Sequence, residues 1–562
     1  MHTVEIVLLL LMLGAVSGLA SRYVPALPLP LLQIALGAVL SWPDAGLHVR
    51  FDPELFLLLF IPPLLFADGW RIPKREFFAL RKPILTLALG LVLFTVLGLG
   101  YFAHWMIPNL PLTVAFALAA VLSPTDAVAV SAITRRLGMP EKTMHILEGE
   151  SLLNDASGLV ALKFAVAATL TGSFSWTAAG RSFLLIAFGG LAVGFAAGWA
   201  LSRARTAITR NLGDVAATQT VLLMMLLPFA SYIVAEHLGV SGILAAVAAG
   251  ITTNFADLDR SEFIAERMQT QSAWAMVESA FNGAIFLLLG LQLPSIIGDG
   301  LTHGPHAWWL LLVYVLAISA ALIALRAIWL VLAVRRSMAK ARRRGQLLEA
   351  PSARLLGAAS LAGIRGAITL AGALSIPLLM PDGSAFPARE LLIFLATGVI
   401  LVTLVTASIG LPLLLAGLEQ PAEPPHAREE RLARVASCEA AIEALKKAAE
   451  NDPTADAEGL LHREEAASMV ARGYRRRIDS LDDAEDGPEA AEGERAARKR
   501  GQVVELELRL TGLRAERAEL YRLRRVHRIN DESLRNLVQE VDLSEVAMRR
   551  RLAAARRVAR QG

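Results

Sequence analysis

A cluster of polar residues interrupts a long apolar stretch in the segment GESLLNDASGLV, residues 149–160. If this segment is helical, Asp155 lies one turn from Ser151 and Glu150 lies one turn from Asn154, so two polar stripes share one side. A carboxylate buried in a membrane is costly unless it takes up a proton or meets a cation. The segment therefore indicates either an ion-binding site or a hydrogen-bonding cluster that only joins helices.

A second polar motif, VLSPTDAVAV at residues 121–130, contains a proline within an apolar run. Pro124 removes a backbone donor and disrupts a helix at this depth. The carbonyls freed by the break are tolerated only where they line a cavity or find partners. Thr125 and Asp126 then open a second half-helix, and Asp126 is predicted to cap its positive end. Capping alone does not explain why the break lies in mid-membrane.

A third motif, GIRGAITLAG at residues 363–372, places a cationic arginine between two glycines in an otherwise apolar run. A buried guanidinium requires an anionic partner. We predict that Arg365 pairs with Glu150, with the holding of the fold as the main purpose of the pair. Three further charged residues, Lys163, Glu278 and Arg326, also interrupt apolar runs, and the sequence assigns them no role.

The elements that must position these residues are membrane-spanning helices, because 55% of the 562 residues are hydrophobic and apolar runs recur up to about residue 418. A helix needs ~20 mainly apolar residues to cross a bilayer. The sequence predicts an all-α, polytopic membrane protein with about thirteen transmembrane helices. They are placed near residues 4–20, 27–42, 55–68, 83–103, 112–133, 143–170, 182–201, 217–235, 240–256, 272–294, 307–334, 355–380 and 391–417.

The charge of the loops predicts the orientation of these helices. One set of alternate loops carries 21 lysines and arginines, whereas the other set carries only Arg50, Arg181 and Arg389. Because positively charged loops stay in the cytoplasm, we expect the N-terminus outside and the C-terminal part inside the plasma (inner) membrane. The first apolar run lacks the features of a cleaved signal peptide, so we interpret it as a retained helix.

Residues 419–562 form a different region, which is charged and has no run long enough to span a membrane. Apolar residues at helical spacing predict a helical, coiled-coil-like cytoplasmic tail that pairs with a partner subunit or with cytoplasmic loops. The single cysteine, Cys438, excludes a disulfide framework within one chain. A net charge of only +4 gives no argument for nucleic acid as a partner.

The two interrupted helices occupy corresponding places if the seventh helix links two six-helix halves. The fifth span then matches the twelfth, and the halves have opposite topology. Paired interrupted helices in inverted repeats are the strongest sequence indication of a transporter site. The sequence therefore predicts two broken helices that cross near a binding site.

The three motifs together resemble those of the sodium/proton exchangers of the monovalent cation:proton antiporter-1 family. A fourth motif, PPLLFADGW at residues 62–70, is similar to a family motif in the third span. The likeness covers roughly residues 5 to 418, and we assign residues 1–418 to a transmembrane exchanger domain. The resemblance implies a core part with two broken crossing helices, a dimerisation part and a homodimer.

The resemblance also implies which residues bind the transported ion. Asp155 is expected to bind the cation and the proton alternately, with Ser151, Asn154 and Thr125 beside it, and Glu150 and Arg365 as the structural ion pair. Asp126 is a further candidate. The family acid of the third span falls where this chain has Ala67, and Asp68 follows one residue later, turned by about 100° on a helix. Asp68 is therefore expected either as a ligand, as a lining residue or as an entry charge.

The expected activity is secondary active exchange of Na⁺ or Li⁺ for H⁺, without a cofactor and without enzymatic chemistry. The Asn–Asp version of the motif is associated with electroneutral exchange in the family. The alternative is K⁺/H⁺ exchange by the same mechanism. More remote alternatives are a passive cation channel and an intramembrane aspartyl-type hydrolase with Asp126 and Asp155 as a dyad, which leaves Asn154, Arg365 and the paired breaks without a role.

Overall fold

The computed structural model describes residues 2–21, 23, 27–41, 53–134, 137, 139–171, 176–212, 217–257, 264–302, 307–345, 350–416, 425–450, 457–482 and 495–560. These residues form helices and no β-strand, which confirms the predicted all-α fold. The chain divides into two compact units. The first comprises residues 1–72, 77–256 and 269–418, and the second comprises residues 73–76, 257–268 and 419–562.

The helices up to residue 415 cover the thirteen predicted apolar runs, some runs being divided into two or more segments, and the short α4 lies between two runs. They are α1 (His2–Ala20), α2 (Leu29–Leu40), α3 (Pro53–Arg71), α4 (Lys74–Ala79), α5 (Arg81–Leu85), a π-helical segment (Thr86–Leu91), α6 (Val92–Met106), α7 (Leu112–Leu122), α8 (Ala127–Thr134), α9 (Glu141–Thr171), α10 (Trp176–Leu212), α11 (Ala217–His237), α12 (Gly242–Asp257), α13 (Ile264–Thr302), α14 (Trp308–Arg343), α15 (Ala353–Leu361), α16 (Ala367–Leu374) and α17 (Arg389–Leu415).

Length and composition identify the membrane-spanning helices among the described residues. Seven helices are long and apolar enough to cross a bilayer, and α7 with α8, bent by 41° at their break, makes eight if the pair is counted as one span. Three shorter apolar helices lie within α1, α2 and α12. The protein is therefore polytopic, and the predicted break in the fifth span is confirmed.

The first unit packs its helices closely by means of small residues. Gly37 of α2 faces Gly290 of α13, and a Cβ atom on Gly290 would lie 2.1 Å from the carbonyl oxygen of Ile34. Such contacts are typical of membrane helices, where small residues let backbones approach each other. Large apolar side chains on the outside of the bundle, such as Phe188 and Phe195 of α10, remain exposed and form a surface suited to lipid.

The second unit contains the tail helices α18 (Pro425–Glu450), α19 (Ala457–Asp482), α20 (Arg495–Arg525) and α21 (Asp531–Arg560). Their apolar faces form small cores around Cys438 and Leu445 and around Leu520 and Leu537. The predicted boundary at residues 418 and 419 lies in 417–424, outside the described residues.

The second unit also includes two short segments that lie between membrane helices in the chain. Glu429 of α18 accepts hydrogen bonds of 2.8 and 3.0 Å from the Arg75 guanidinium. The carboxylate of Asp542 lies between Arg267, at 2.8 Å, and Arg517, at 3.1 Å. Specific ion pairs therefore hold both segments against tail helices.

Candidate functional site

The break in the fifth span is a short unwound segment, residues 123–126, between α7 and α8. It contains Pro124, whose missing N–H predicts a break at this place. The backbone N–H of Asp126 donates to the carbonyl of Ile364 at 2.8 Å. The Asp126 carboxylate accepts hydrogen bonds from the N–H groups of Val128 at 2.9 Å and Ala129 at 3.0 Å. The predicted N-cap is thus present, and the break is tied to the twelfth span.

The twelfth span is interrupted over residues 362–366, between α15 and α16, as predicted. Arg365 is buried, and its Nε donates to the carbonyl of Leu122 at 2.8 Å, while its Nη1 contacts the carbonyl of Gly363. Gly366 allows the two segments to approach, because a Cβ atom there would lie 2.0 Å from Asp126 Oδ2. The two breaks therefore lie against each other. The Asp126 N–H satisfies the Ile364 carbonyl, and the Arg365 side chain satisfies the Leu122 carbonyl at the end of α7.

Polar side chains of α9 form hydrogen bonds with the unwound segment between α7 and α8. Ser151 Oγ donates to the carbonyl of Thr125 at 2.8 Å and accepts from the N–H of Ala127 at 3.3 Å. Asn154 Nδ2 donates to Thr125 Oγ1 at 2.8 Å. Asn154 does not line the cavity described next, so its amide positions Thr125 rather than facing that space.

A cavity opens where α9, α3, α13 and the two unwound segments meet, and its water-accessible volume is about 90 Å³. This is enough for an ion and several water molecules, since each water needs about 10–15 Å³ by the same measure. Five of the predicted site residues line it, namely Asp155, Ser151, Thr125, Asp68 and Asp126. The structure therefore brings the motifs of the third, fifth and sixth spans to one space.

Asp155 is a buried cavity residue with 6% of its surface exposed. Its carboxylate accepts no hydrogen bond from the described residues. Asp126 differs, because its carboxylate is committed to two backbone N–H groups. A carboxylate that is buried and without donors must be neutralised by a bound proton or a bound cation.

The predicted partner of Glu150 is wrong. The Glu150 carboxylate is buried and forms a two-pronged ion pair with Arg326 of α14, whose Nη2 lies 2.8 Å from Oε2 and whose Nη1 contacts Oε1. Arg365 binds carbonyls instead. Both arginines lie close to Gly363, where a Cβ atom would be 2.9 Å from each side chain. Arg326 and Arg365 are both buried, and Arg326 is the one that pairs with Glu150, because both of its terminal nitrogens reach the carboxylate in a bidentate arrangement.

The cavity also contains two residues that the motifs did not indicate. Glu278 and Asn282 lie one turn apart on α13, and both line the cavity. The signal that could have identified Glu278 is a charge within an apolar span, which the sequence contains without any flanking motif.

The oxygen atoms around Asp155 suit a small hard cation. Ser151 and Thr125, which carry hydroxyl groups, line the cavity together with the Asp155 carboxylate, and the cavity has room for water. Carboxylate, hydroxyl and water oxygens are ligands of hard cations. The site can therefore hold either an alkali cation or a proton on the same carboxylate.

The chain is similar to known proteins over most of its length. The model of the family "Sodium/hydrogen exchanger, transmembrane" matches residues 7–417. The chain is 47% identical to the uncharacterized Na⁺/H⁺ exchanger YjcE of Escherichia coli over 554 residues, which is 96% of this chain and 98% of that protein. It is also 48% identical to a sodium, potassium, lithium and rubidium/H⁺ antiporter of Bacillus pumilus, over 73% of this chain and 60% of that one.

The fold has a counterpart among solved structures. The sodium proton antiporter MjNhaP1 of Methanocaldococcus jannaschii superposes with a TM-score of 0.57 at 18% identity, covering 74% of this chain and 99% of that chain. At this identity the likeness concerns the fold. The family model and the relatives carry the assignment, and the chain belongs to the sodium/hydrogen exchanger family of transmembrane cation/proton antiporters.

Proposed function

We propose that the protein exchanges Na⁺ or Li⁺ for H⁺ across the plasma membrane, with Asp155 as the group for which cation and proton compete. The observation that carries this proposal is the Asp155 carboxylate itself. It faces a water-accessible cavity and accepts no hydrogen bond from the residues that the structure describes. A group in this position is stable only with a proton or a cation on it.

Competition for one carboxylate explains coupling without a separate gate. Protonated Asp155 is neutral, and cation-bound Asp155 is neutral as a pair, so either form can pass a hydrophobic barrier. The bare carboxylate cannot pass easily, because a charge in the bilayer interior is costly. One cation is thus exchanged for one proton, and the exchange is electroneutral. Asp126, whose carboxylate caps α8, is poorly suited to act with Asp155 as a hydrolytic dyad.

K⁺/H⁺ exchange by the same mechanism is the second candidate, and one observation favours it. The relative from Bacillus pumilus is described as an antiporter for sodium, potassium, lithium and rubidium. The cavity, at about 90 Å³, has room for cations of different size with some of their water. We therefore include K⁺ among the ions to be tested against Na⁺ and Li⁺.

We further propose that the tail docks onto cytoplasmic loops, which fits an orientation with the N-terminus outside. Two observations within the second unit support this. Glu429 pairs with Arg75, and Asp542 pairs with Arg267, and both arginines belong to segments that the positive charge of the loops assigns to the cytoplasm.

Reconstitution into liposomes tests the exchange. Vesicles carrying the purified protein and an internal pH dye receive Na⁺, Li⁺ or K⁺ in turn, with and without an ionophore that clamps the voltage. We expect cation-driven proton movement that does not depend on the clamp. Movement that the voltage clamp accelerates would contradict the electroneutral stoichiometry, because net charge transfer builds an opposing potential when the voltage is free. Proton movement that stops under the clamp, or cation flux without proton movement, would indicate a channel.

The variant Asp155→Asn tests the residue. We expect it to reach the membrane and to lose exchange completely, because an amide takes up no proton at this position and has no negative charge to neutralise a bound cation. The matched control is Asp382→Asn, which removes an exposed loop carboxylate at no cost to the site. Measurable exchange by Asp155→Asn would refute the assignment of the central residue.

A further inference from the structure

Glu278 is the cavity carboxylate that already has a cation beside it. Its Oε2 pairs with Arg71 Nη1, whereas its Oε1 is buried and accepts no hydrogen bond from the described residues. Glu278 also lines the cavity that contains Asp155. Oε2 of Glu278 is therefore paired with the Arg71 guanidinium, and Oε1 has no donor among the described residues.

The exposure of the two partners differs in an informative way. The Arg71 side chain is 39% exposed, whereas the Glu278 side chain is 17% exposed. Arg71 is the last residue of α3, and the guanidinium can therefore leave Glu278 for water without any change in the helix. Because the Arg71 end of the pair is open to solvent, water can solvate the guanidinium when another cation takes its place on Glu278.

The surroundings favour a second cation. Four carboxylates line the cavity, namely Asp68, Asp126, Asp155 and Glu278, and Arg71 is the cationic side chain paired with one of them. Asp68 lies one turn before Arg71 on α3, and its carboxylate accepts no hydrogen bond from the part of the chain that the structure describes. A cleft lined with one sign of charge raises the local concentration of the opposite ion.

We propose that Glu278 is the first ligand of the incoming cation, and that Arg71 is a tethered competitor that occupies Glu278 when no cation is there. The cation displaces the guanidinium to water, is held by Glu278 and the neighbouring Asn282, and passes to Asp155 when that group releases its proton. Charge is balanced at each stage, because one cation replaces another on Glu278. This inference rests on the proposed exchange and assigns a specificity-determining residue to it.

The two partners of such a pair have opposite effects on cation affinity. Glu278→Gln removes the first ligand, so the KM for Na⁺ should rise roughly fivefold, the size expected when a partly exposed charge interaction is lost. Arg71→Ala removes the competitor, so the KM should fall by a similar factor. The maximal rate should change less than KM in both variants, because Asp155 is intact. Glu278→Asp should retain part of the wild-type affinity.

A pair that only joins α3 to α13 gives a different pattern. Each single variant then leaves one charge without its partner, both variants lose activity and stability in the same direction, and the double variant recovers part of the loss. Under our proposal the double variant Arg71→Ala/Glu278→Gln keeps the raised KM of Glu278→Gln, because no first ligand remains. The double variant therefore separates the two explanations.

The experiment measures the Na⁺ dependence of exchange in liposomes for wild type, both single variants and the double variant. Glu443→Gln, which removes an exposed carboxylate in the tail, is the control for effects of purification and reconstitution that do not involve the cavity. Opposite shifts of KM without recovery in the double variant support the proposal. Shifts in one direction, recovery in the double variant, or no shift at all would overturn it. A wild-type protein without exchange would instead overturn the proposed function.

Discussion

Replacing Arg326 by alanine tests the buried ion pair that holds Glu150. The two side chains are 2% and 1% exposed, and Arg326 supplies both charged hydrogen bonds to the carboxylate. Among the described residues, the hydroxyl of Thr125, at 3.5 Å, is the remaining donor to this carboxylate. Arg326→Ala therefore leaves a buried carboxylate almost unsupported, a change that typically costs about 3–5 kcal/mol.

The corresponding change at the other buried arginine should cost less. Arg365 binds the carbonyls of Leu122 and Gly363, and Arg365→Ala leaves neutral acceptors without a donor. The expected cost is about 1–3 kcal/mol. Arg336→Ala, at an exposed position of α14, is the matched control and should change stability by less than about 0.5 kcal/mol.

The assay is thermal unfolding in detergent, followed by the fraction of monodisperse protein that remains after heating. We expect Arg326→Ala to lose the most, Arg365→Ala less and Arg336→Ala nothing. The double variant Arg326→Met/Glu150→Gln should recover most of the loss, because a neutral pair of similar volume leaves no buried charge. If Arg326→Ala were as stable as wild type, or if Arg365→Ala lost more, the pairing of Glu150 with Arg326 would be refuted.

Other consequences of the site can be measured separately. The KM for Na⁺ in liposome exchange should rise as pH falls, because proton and cation compete for Asp155; a KM that is independent of pH would contradict a shared site. Asp126→Ala should destabilise the protein in detergent by about 0.5–2 kcal/mol through loss of the cap, with Asp382→Asn unchanged. Gly366→Ala should impair exchange at normal expression, because its Cβ atom would lie 2.0 Å from Asp126 Oδ2. Asp542→Asn should loosen the tail, seen as faster proteolysis of residues 425–560, because it weakens the contacts with Arg267 and Arg517.

Much of the fold and part of the site could be predicted from the sequence, because both follow from local chemistry. Pro124 and the glycines around Arg365 fix where helices break, and Asp126 is followed by the free N–H groups that it caps. The i, i+4 relation of Ser151 and Asp155 places both on one side of α9, and both line the cavity.

The remaining features depend on which helices pack together, and spacing along the chain does not determine this. Glu150 had two buried arginines as possible partners, and only the approach of α14 decides for Arg326. Glu278 carries no motif and joins the site only because α13 packs beside α3. Asp68, one residue from the expected family position, still lines the cavity. It lies on α3, which contains Pro62 and Pro63 within the helix.

The hydrogen bonds between the two breaks have a consequence for the turnover rate of the protein. Arg365 and the Asp126 N–H satisfy carbonyls across the breaks, and neither contact uses the transported ion. We therefore expect the framework around Asp155 to keep its shape whether the carboxylate carries a proton, a metal ion or neither at the moment of exchange. We expect the cavity residues to move little when a proton and a cation replace each other. The turnover number should then be limited by movement of the whole core rather than by rearrangement of the binding site.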